Sequence, residues 1–563
     1  MKSFDGLMDK TLGQMLDDAI AAHAENEAVV YWDRNYRMTY REFGILVDKL
    51  AKGLMALGVQ KGEKAAIWAS NVPHWVALLF ATARIGAVLV TVNTNYRRFE
   101  LEYLLQQSEA ENLFIIDGYR DTDYVQTLYD LAPELREQPR GYLRCANLPN
   151  LRRVFFLGQE KHRGMYSISE LVALSCMISD QEYQQRQAGL NGHDIVNMQY
   201  TSGTTGFPKG VMLSHHNIVN NGFWIGENQA LSSRDRVCLP VPLFHCFGLV
   251  LGVMAAVAHA STMVILESFD ALHVMASVQH ERCTALYGVP TMFIAILEHR
   301  LFDKFDYSTL RTGIMAGSPC PMQVMRQVID KMHLTEITIC YGLTEGSPVI
   351  TQTRVDDDIH HRVATVGRAL PGIELRLVDP KTNAAVEVGE KGEVCCRGYN
   401  VMKGYYRQPE ETSRVIDADG WLHSGDLGVM DEKGYLTITG RCKDMIIRGG
   451  ENIYPREIEE FLYHMEGISD VQVVGVANHK YGEEVAAFVI RKQGAQITEA
   501  DVRDYCRGKI SRFKIPQYVF FVDAYPLTAS GKVQKYLLRE MACELVKARE
   551  QRGEIVQGDA RSS

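Results

Sequence analysis

The first four-fifths of the chain alternates short, uninterrupted apolar runs with segments of helical spacing, and this pattern restricts the fold most. Residues 64–69, 87–92 and 113–116 are apolar runs of strand length, whereas Pro73–Ile85 has the spacing of a helix that Gly86 ends. Continuous apolar strands between amphipathic helices are typical of parallel sheets covered on both faces. The pattern therefore predicts an α/β class with parallel-rich sheets in a large N-terminal domain.

The pattern changes near residue 440, where a smaller unit is predicted to begin. Pro455 stands where a helix should start, apolar side chains then share one face as far as Met465, and Gly467 is expected to stop the helix. Residues 471–476 and 484–490 have the composition of strands. We therefore predict a small α+β C-terminal domain at 441–563 after a large domain at 1–440.

Charge and cysteine usage exclude several functional classes. The 563 residues carry a net charge of −9, so the chain has no global basic field with which to gather nucleic acid. The 12 cysteines include no CxxC pair, which favours free thiols in a reducing compartment. The N-terminus has no signal-peptide pattern, so the prediction is a cytoplasmic protein.

One segment, residues 246–266, is long and apolar enough to be compared with a membrane span. Its 21 residues contain two glycines, a histidine, a serine and a threonine, and polar segments flank it. A buried helix that leads into a strand at residues 262–266 is the favoured interpretation.

A loop rich in glycine and hydroxyl side chains, YTSGTTGFPKG at residues 200–210, is the strongest local signal. Glycine lets backbone N–H groups approach phosphate oxygens, hydroxyl groups add donors, and Lys209 adds a positive charge. The loop lacks the ending of a Walker A motif. Its composition favours phosphate binding over the alternative, a flexible surface turn.

Further motifs follow this loop in a fixed order over most of the chain. They are PLFHCFG at 242–248, GSP at 317–319, YGLTE at 341–345, GWLHSGD at 420–426, GRCKDMII at 440–447, GGENIYPRE at 449–457 and PLTASGK at 526–532. With these motifs the chain resembles the acyl-adenylate-forming ligases, which include acyl-CoA synthetases, adenylation domains of peptide synthetases and firefly luciferases. Medium- to long-chain fatty acyl-CoA synthetases are the most similar group.

The resemblance implies two half-reactions on one nucleotide site. A carboxylate attacks the α-phosphorus of ATP and gives acyl-AMP and pyrophosphate, and a thiol, usually that of coenzyme A, then displaces AMP. Such a site must neutralise developing negative charge and hold the attacking and leaving oxygens in line. The implied cofactors are therefore ATP, Mg²⁺ and coenzyme A as a co-substrate.

The resemblance also implies which residues bind ATP and the metal. The loop is expected to wrap the β- and γ-phosphates, Tyr341 to bracket adenine, and Asp426 to accept from the ribose hydroxyls with help from Arg441. The full implied ATP set is Thr201, Ser202, Gly203, Thr204, Thr205, Gly206, Lys209, Gly317, Ser318, Pro319, Tyr341, Gly342, Asp426 and Arg441. Thr344 is expected at the α-phosphate. A carboxylate among phosphates needs a cation, so Glu345, with Thr204, is expected to hold Mg²⁺.

In the same family, a lysine from the small domain reaches the reacting groups. Lys532 matches that position and is expected to bridge the carboxylate and α-phosphate oxygens, and Lys443 matches the hinge. Rotation of the small domain would then open a channel for coenzyme A. The implied coenzyme A residues are Arg448, Gly449, Gly450, Arg512 and Lys514.

The implied acyl pocket consists mostly of apolar residues. Its members are Trp224, His245, Phe247, Val289, Thr291 and Gly342, with His245 as a gate between ATP and the acyl chain. No acid is available for a substrate ammonium group, since Asp235 between two arginines is interpreted as part of a surface turn. We therefore predict a medium- to long-chain fatty acid.

Other functions are kept open at this point. One alternative is loading of an aryl, short or carnitine-like acid onto coenzyme A or onto a carrier-protein thiol in trans; a luciferase-like oxygenase and an inactive homologue are two more. The expected partners are a small carboxylic acid, ATP and coenzyme A, without nucleic acid. Peripheral membrane contact and a homodimer are left open.

Overall fold

The structure is a computed structural model that describes residues 6–201, 208–318, 320–441, 444–448, 451–478, 481–529 and 531–552. Several residues singled out by the sequence lie outside this part of the chain, and the predictions for them stay predictions. They are Ser202, Gly203, Thr204, Thr205, Gly206, Pro319, Lys443, Gly449 and Gly450.

Strands occur along the whole described chain. In chain order, β1 to β14 are Glu27–Tyr31, Tyr36–Thr39, Lys64–Trp68, Val88–Thr91, Asn112–Ile115, Gly118–Tyr119, Thr122–Asp123, Arg153–Phe156, Tyr166–Ser167, Ile195–Thr201, Lys209–Ser214, Arg236–Leu239, Thr262–Ile265 and Ala285–Gly288. Strands β15 to β27 are Thr312–Met315, Glu336–Gly342, Val349–Gln352, Arg368–Ala369, Ile373–Val378, Lys391–Gly398, Leu422–Met430, Leu436–Arg441, Ile446–Arg448, Glu451–Ile453, Ile468–Asn478, Gly482–Arg491 and Tyr518–Phe521.

Helices connect most of these strands. In chain order, α1 to α9 are Leu12–His23, Tyr40–Ala56, Pro73–Ile85, Arg98–Ser108, Tyr124–Leu131, Ile168–Leu174, Asp180–Ala188, His215–Asn228 and Ala255–Ala258. Helices α10 to α17 are Ala271–His280, Pro290–Leu297, Met322–Met332, Ile359–Ala364, Pro409–Val415, Pro455–Leu462, Glu499–Cys506 and Lys535–Gln551. A π-helix at Phe247–Met254 precedes α9 directly.

Two large sheets form the first part of the chain. A seven-stranded sheet has the order β11-β10-β4-β3-β5-β8-β9, and a nine-stranded sheet has the order β18-β17-β16-β15-β14-β12-β13-β1-β2. In the first sheet, only the β10–β11 pair is antiparallel. In the second sheet, the neighbouring strands β16, β15, β14, β12, β13 and β1 all pair in parallel. The predicted α/β class with parallel-rich sheets is confirmed.

Apolar periodicity located these elements well. The run at 64–69 becomes β3, the run at 87–92 becomes β4, and helix α3 begins and ends as the sequence predicts. From Trp75 to Ile85 every residue of α3 is buried, which is typical of a helix covered on all sides. Gly86 ends α3 with a φ of 76°, a left-handed conformation that favours glycine.

The apolar segment at 246–266 is part of the core. Its residues form the buried π-helix, α9 and then strand β13, which lies between β12 and β1. The prediction of a buried helix leading into a strand is confirmed. Within the described residues, no helix has both the length and the apolar character needed to cross a bilayer.

Smaller sheets complete the chain. Strands β19 to β22 form an antiparallel sheet, and β23 to β27 form a separate sheet in the order β24-β23-β26-β25, with β27 parallel to β26. Helices α15 and α16 cover one face of this second sheet and α17 covers the other. The α+β character predicted for the C-terminal domain is thereby confirmed, and its boundary at 440/441 stays a prediction.

Helix α15 is shorter than the sequence predicts. It ends at Leu462, whereas the apolar pattern continues to Met465. The Met465 N–H donates to the Leu462 carbonyl in a tight turn, so Met465 reaches the same buried cluster without being helical.

Close packing of α2 against α6 makes Gly53 a sensitive position. A Cβ on Gly53 would lie 2.0 Å from the Leu171 carbonyl oxygen, which is backbone and cannot move aside cheaply. We expect Gly53→Ala to destabilise the protein by about 1–3 kcal/mol and to lower the midpoint of thermal unfolding. Lys49→Ala, on the exposed face of α2, is the control and should change stability by less than about 0.5 kcal/mol. Equal midpoints for the two variants would contradict this packing.

Candidate active site

Parallel pairing in the nine-stranded sheet brings the predicted site residues to one edge. The loop after β12 carries His245, Val289 directly follows β14, Gly317 and Ser318 follow β15, and Tyr341 lies at the end of β16. Because the carboxyl ends of parallel strands lie at the same edge of a sheet, residues far apart in the chain become neighbours there.

A hydrogen-bonded cluster of Tyr341, Asp426 and Arg441 forms one side of the site. The Tyr341 hydroxyl donates to Asp426 Oδ2 over 2.8 Å, and Arg441 Nε donates to Asp426 Oδ1 over 3.1 Å. Asp426 and Arg441 face each other across the β21–β22 pair. Burial raises the pKa of Asp426, and the positive charge of Arg441 opposes this shift. The three residues that the resemblance assigns to the nucleoside therefore lie in direct contact.

The part of β21 that carries Asp426 is held against β20 by hydrogen bonds. The Gly425 N–H donates to Glu393 Oε1 over 2.9 Å, and Glu393 Oε2 lies 3.1 Å from His423 Nδ1. The Ser424 hydroxyl donates to the Val394 carbonyl and accepts from the Asp426 N–H. Gly425 has a φ of 72°, which favours glycine at this irregular position of β21. Asp426 is thus held by its backbone as well as by its side chain.

Thr344 and Glu345 lie in a 3₁₀ turn directly after β16. Gly342 precedes this turn, and a Cβ there would lie 1.8 Å from the Pro348 carbonyl oxygen, so only glycine fits. The Tyr405 hydroxyl donates to Glu345 Oε1 over 2.7 Å. Among the residues that the structure describes, no lysine or arginine forms an ion pair with Glu345. An unpaired carboxylate oxygen is a fitting ligand for Mg²⁺.

Lys532, from the C-terminal part of the chain, reaches this edge of the nine-stranded sheet. The Thr291 hydroxyl donates to the Gly531 carbonyl over 3.2 Å, and a Cβ on Gly317 would lie 3.4 Å from Lys532 Cε. Burial lowers the pKa of Lys532, while the charges of Asp426 and Glu345 act in the opposite direction. The lysine therefore lies within electrostatic range of Asp426, predicted to bind the ribose, and of Glu345, predicted to bind Mg²⁺.

His245 lies on the apolar side of the site as a neutral ring. The Phe247 N–H donates to His245 Nδ1 over 3.1 Å, which fixes the ring. Burial and the nearby charge of Lys532 lower the pKa of His245 to about 3. The Cys246 thiol lies 3.5 Å from His245 Nδ1 and 3.7 Å from the Thr344 hydroxyl, so an uncharged wall adjoins the polar cluster.

Both ends of the predicted phosphate loop are described. Thr201 ends β10 and Lys209 begins β11, and the two are cross-strand partners. The Lys209 ammonium group donates to Glu411 and lies 5.0 Å from the centre of the Tyr405 ring. The sequence pattern predicts a phosphate-binding loop here, but it did not predict the β10–β11 hairpin that carries the loop.

The predicted acyl-pocket residues are brought together in part. Val289 and Phe247 lie beside Gly317, since a Cβ on Gly317 would approach Val289 Cγ1 to 3.1 Å and Phe247 Cδ1 to 3.9 Å. Thr291 contacts the loop that carries Lys532, as described above. Trp224 lies on α8 with its ring edge-on to that of Phe223.

The interpretation of Asp235 as part of a surface turn is wrong. Asp235 does close a turn with Ser232, but it is only 3% exposed and forms an ion pair with Arg311 over 2.9 Å. The two flanking arginines suggested a surface turn, but the cation that pairs with Asp235 is Arg311, which lies 76 positions away. Since Arg311 neutralises it, Asp235 offers no free charge for a substrate ammonium group.

The residues predicted for coenzyme A lie on the C-terminal part of the chain. Arg448 forms a two-pronged ion pair with Glu484, and Lys514 donates to Glu457 over 2.6 Å. Arg512 is exposed. Within the described part of the chain, none of these three side chains hydrogen-bonds or ion-pairs with Tyr341, Asp426 or Arg441.

Sequence analysis missed three residues that support the site: Glu393, Tyr405 and Glu411. Glu393 precedes two cysteines in β20 and has no pattern of its own, and Glu411 is one of two adjacent acids on α14. Tyr405 follows a glycine, which was the only available signal. Their roles depend on which side chains the fold places opposite them.

Comparison with known proteins identifies relatives over the whole chain. The family model for the AMP-binding enzyme matches residues 16–406, and the model for the AMP-binding enzyme C-terminal domain matches residues 457–532. A Bacillus subtilis (strain 168) protein, YngI, provisionally named an acyl-CoA synthetase, is 54% identical over 96% of this chain and 98% of its own. The mitochondrial medium-chain acyl-CoA ligase ACSF2 of Bos taurus is 40% identical over 95% and 88%, respectively.

Solved structures show the same architecture. The ATP-bound crystal structure of MatB from Rhodopseudomonas palustris has a TM-score of 0.82 and 29% identity, and covers 96% of this chain and 100% of its own. The apo structure of the same protein has a lower TM-score of 0.73 at the same coverage. This arrangement is therefore more similar to the ATP-bound form of that protein.

The hydrogen bond from the Gly425 N–H to Glu393 holds β21 next to Asp426, so a substitution of Glu393 should change the affinity for ATP. Glu393→Ala removes the acceptor of the Gly425 N–H and should raise the KM for ATP by roughly fivefold, the worth of about one hydrogen bond. Glu393→Gln keeps an acceptor oxygen and should have a smaller effect. The measurement is carboxylate-dependent ATP–pyrophosphate exchange with ATP and with 2′-deoxy-ATP.

The deoxynucleotide separates positioning from general destabilisation. If Glu393 acts through Asp426 on the ribose, the Glu393→Ala penalty should be smaller with 2′-deoxy-ATP. An identical penalty for both nucleotides would contradict this assignment.

Proposed function

Because the chain belongs to the AMP-binding enzymes and is an AMP-forming acid–thiol ligase, we propose that it activates a medium- to long-chain fatty acid with ATP and transfers the acyl group to coenzyme A. One observation carries the residue assignment. Lys532, from the C-terminal part, lies beside Gly317 and near Asp426 and Glu345, where adenylation needs a cation.

In the first half-reaction, a carboxylate oxygen bonds to the α-phosphorus of ATP while the bond from that phosphorus to the bridging oxygen of pyrophosphate breaks. Asp426 and Arg441 hold the ribose, and Thr344 donates to the α-phosphate. Lys532 stabilises the negative charge shared by the attacking and α-phosphate oxygens. The neutral His245 adds no charge between the nucleotide and the acyl chain.

Mg²⁺ fits the donors of this site. Glu345, together with Thr204, would hold the ion, which when bound neutralises phosphate charge. The Tyr405 hydroxyl occupies one side of the Glu345 carboxylate and leaves the remaining oxygen available.

In the second half-reaction, the thiol sulfur of coenzyme A bonds to the acyl carbon and the bond to the AMP oxygen breaks. Lys532 is no longer needed at this stage, so rotation about Lys443 of a domain at 441–563 against one at 1–440 would exchange it for Gly449 and Gly450. Arg448, Arg512 and Lys514 are the proposed contacts for the phosphates of coenzyme A. Exposed Arg512 needs no rearrangement, whereas Arg448 and Lys514 would have to share their charge with Glu484 and Glu457.

A fatty acid is favoured by the apolar character of the proposed pocket and by the name of the medium-chain relative ACSF2. The Asp235–Arg311 pair argues against an amino acid, because it leaves no free acid for an ammonium group. We further propose a cytoplasmic location, on the cysteine usage of the chain. Peripheral membrane contact and a homodimer stay predictions.

The role of Lys532 predicts a separation of the two half-reactions. Lys532→Ala should lower carboxylate-dependent ATP–pyrophosphate exchange by about 10²–10³-fold, the loss typical of removing one charge-stabilising donor. Thioester formation from supplied acyl-AMP and coenzyme A should be retained. The exposed Lys547→Ala on α17 is the matched control and should behave like the wild type.

Equal loss of both half-reactions in Lys532→Ala would overturn this division of labour. In that case Lys532 would serve the folded site as a whole and not the adenylation step.

The substrate class predicts a preference among acids. With ATP and coenzyme A present, release of AMP is measured for saturated fatty acids of 2 to 18 carbons, benzoate and carnitine-like acids. An apolar pocket should favour chains of medium to long length, because each buried methylene adds about 0.8 kcal/mol. A maximum at acetate or benzoate would contradict the fatty-acid proposal, and formation of ADP would contradict the reaction itself.

A further inference from the structure

The Lys209 ammonium group is already engaged by other side chains, so it is not freely available to bind a phosphate group. Its side chain is only 10% exposed, it is ion-paired with Glu411, and it faces the Tyr405 ring. Glu411 is held in turn by Arg414 on the same helix, α14. The charge of Lys209 is therefore already compensated within the protein.

The segment at residues 403–406 lies along β11 and places these partners. The Lys403 N–H donates to the Met212 carbonyl, the Met212 N–H donates to the Gly404 carbonyl, and the Tyr406 N–H donates to the Gly210 carbonyl, over 2.8–3.0 Å. Helix α14 follows directly, which brings Glu411 to Lys209. The pairing thus attaches the second strand of the phosphate-loop hairpin to another part of the chain.

Met402, directly before this segment, and Tyr405 within it both contact Glu345. The Met402 N–H donates to the Glu345 carbonyl over 2.9 Å, and the Tyr405 hydroxyl donates to its side chain. Tyr405 therefore has the Lys209 cation over its ring and Glu345 at its hydroxyl. One short segment joins the end of the phosphate loop to the proposed metal-binding carboxylate.

We propose that Lys209 is a positioning residue and that Glu411 and Tyr405 form with it a brace between the phosphate loop and Glu345. This inference rests on the proposed function of the site. Lys209 and Thr201 are cross-strand partners that close the loop, so holding the Lys209 side chain holds the place where the loop ends. Tyr405 extends that restraint to Glu345.

A direct role of Lys209 on the phosphates predicts the opposite effect of Glu411. If Lys209 were a phosphate ligand, Glu411 would compete with ATP for its charge, and removing Glu411 would tighten ATP binding or leave it unchanged. If the pair is a brace, removing Glu411 loosens the loop and weakens ATP binding. The sign of the change in a single variant therefore separates the two roles.

The experiment measures the Kd for ATP by calorimetry, together with the KM for ATP in pyrophosphate exchange, on the full chain. The variants are Glu411→Ala, Lys209→Met and the double variant. We expect each single change to raise the Kd for ATP about tenfold. The Kd of the double variant should be no higher than that of the single variant with the higher Kd. Glu410→Ala, at the exposed neighbouring position of α14, leaves the Lys209–Glu411 pair intact, so it is the matched control and should lie close to the wild type.

Three results would overturn the brace: tighter or unchanged ATP binding in Glu411→Ala, additive losses in the double variant, or a Glu410→Ala variant as weak as Glu411→Ala. Glu411→Gln, which keeps the side-chain volume, replaces Glu411→Ala if thermal unfolding shows that the latter is poorly folded.

The link to Glu345 has its own readout. Tyr405→Phe keeps the ring under Lys209 and removes only the hydroxyl, so it should raise the Mg²⁺ concentration for half-maximal exchange while leaving the Kd for metal-free ATP near the wild-type value. An unchanged Mg²⁺ dependence would remove Tyr405 from the brace. A wild-type protein without carboxylate-dependent exchange would instead contradict the proposed function, whatever the ATP affinities of the variants.

Discussion

Parallel pairing of β12, β14, β15 and β16 is the constraint on which the rest of the site depends. It places at one sheet edge the loops and strand ends that carry His245, Val289, Gly317 and Tyr341. His245 and Tyr341 are 96 positions apart in the chain, and strand pairing brings them to the same edge of the sheet. The buried π-helix and β13 strengthen this arrangement from within the core, since β13 joins β12 to β1.

The electrostatic character of the site comes from charges on different parts of the chain. Asp426 and Glu345 are carboxylates of the first part, Arg441 ends β22, and Lys532 comes from the C-terminal part. In the proposed mechanism, a cation on a loop of the C-terminal part is present for adenylation and absent for the next step. This is useful for an enzyme that must first stabilise a crowded set of oxyanions and then release AMP from the same place.

Residues without substrate contact hold the polar groups in position. Glu393 fixes β21 next to Asp426 through the Gly425 amide, and in the proposed brace Lys209, Glu411 and Tyr405 hold the end of the phosphate loop. In both cases an acid from a neighbouring element fixes backbone geometry. Preorganisation of this kind reduces the cost of ordering the site when nucleotide binds.

Sequence alone determined the fold class, helix α3 and strands such as β3, and its motifs singled out Tyr341, Asp426 and Arg441, which the structure brings into contact. These followed from periodicity and from motifs, which are properties of neighbouring positions. It missed the early end of α15, the burial of Asp235 and the roles of Glu393, Tyr405 and Glu411. Only the tertiary structure decided these, because each depends on a partner, such as Arg311 for Asp235 or Lys209 for Glu411, that lies far away in the chain and is brought near by strand pairing.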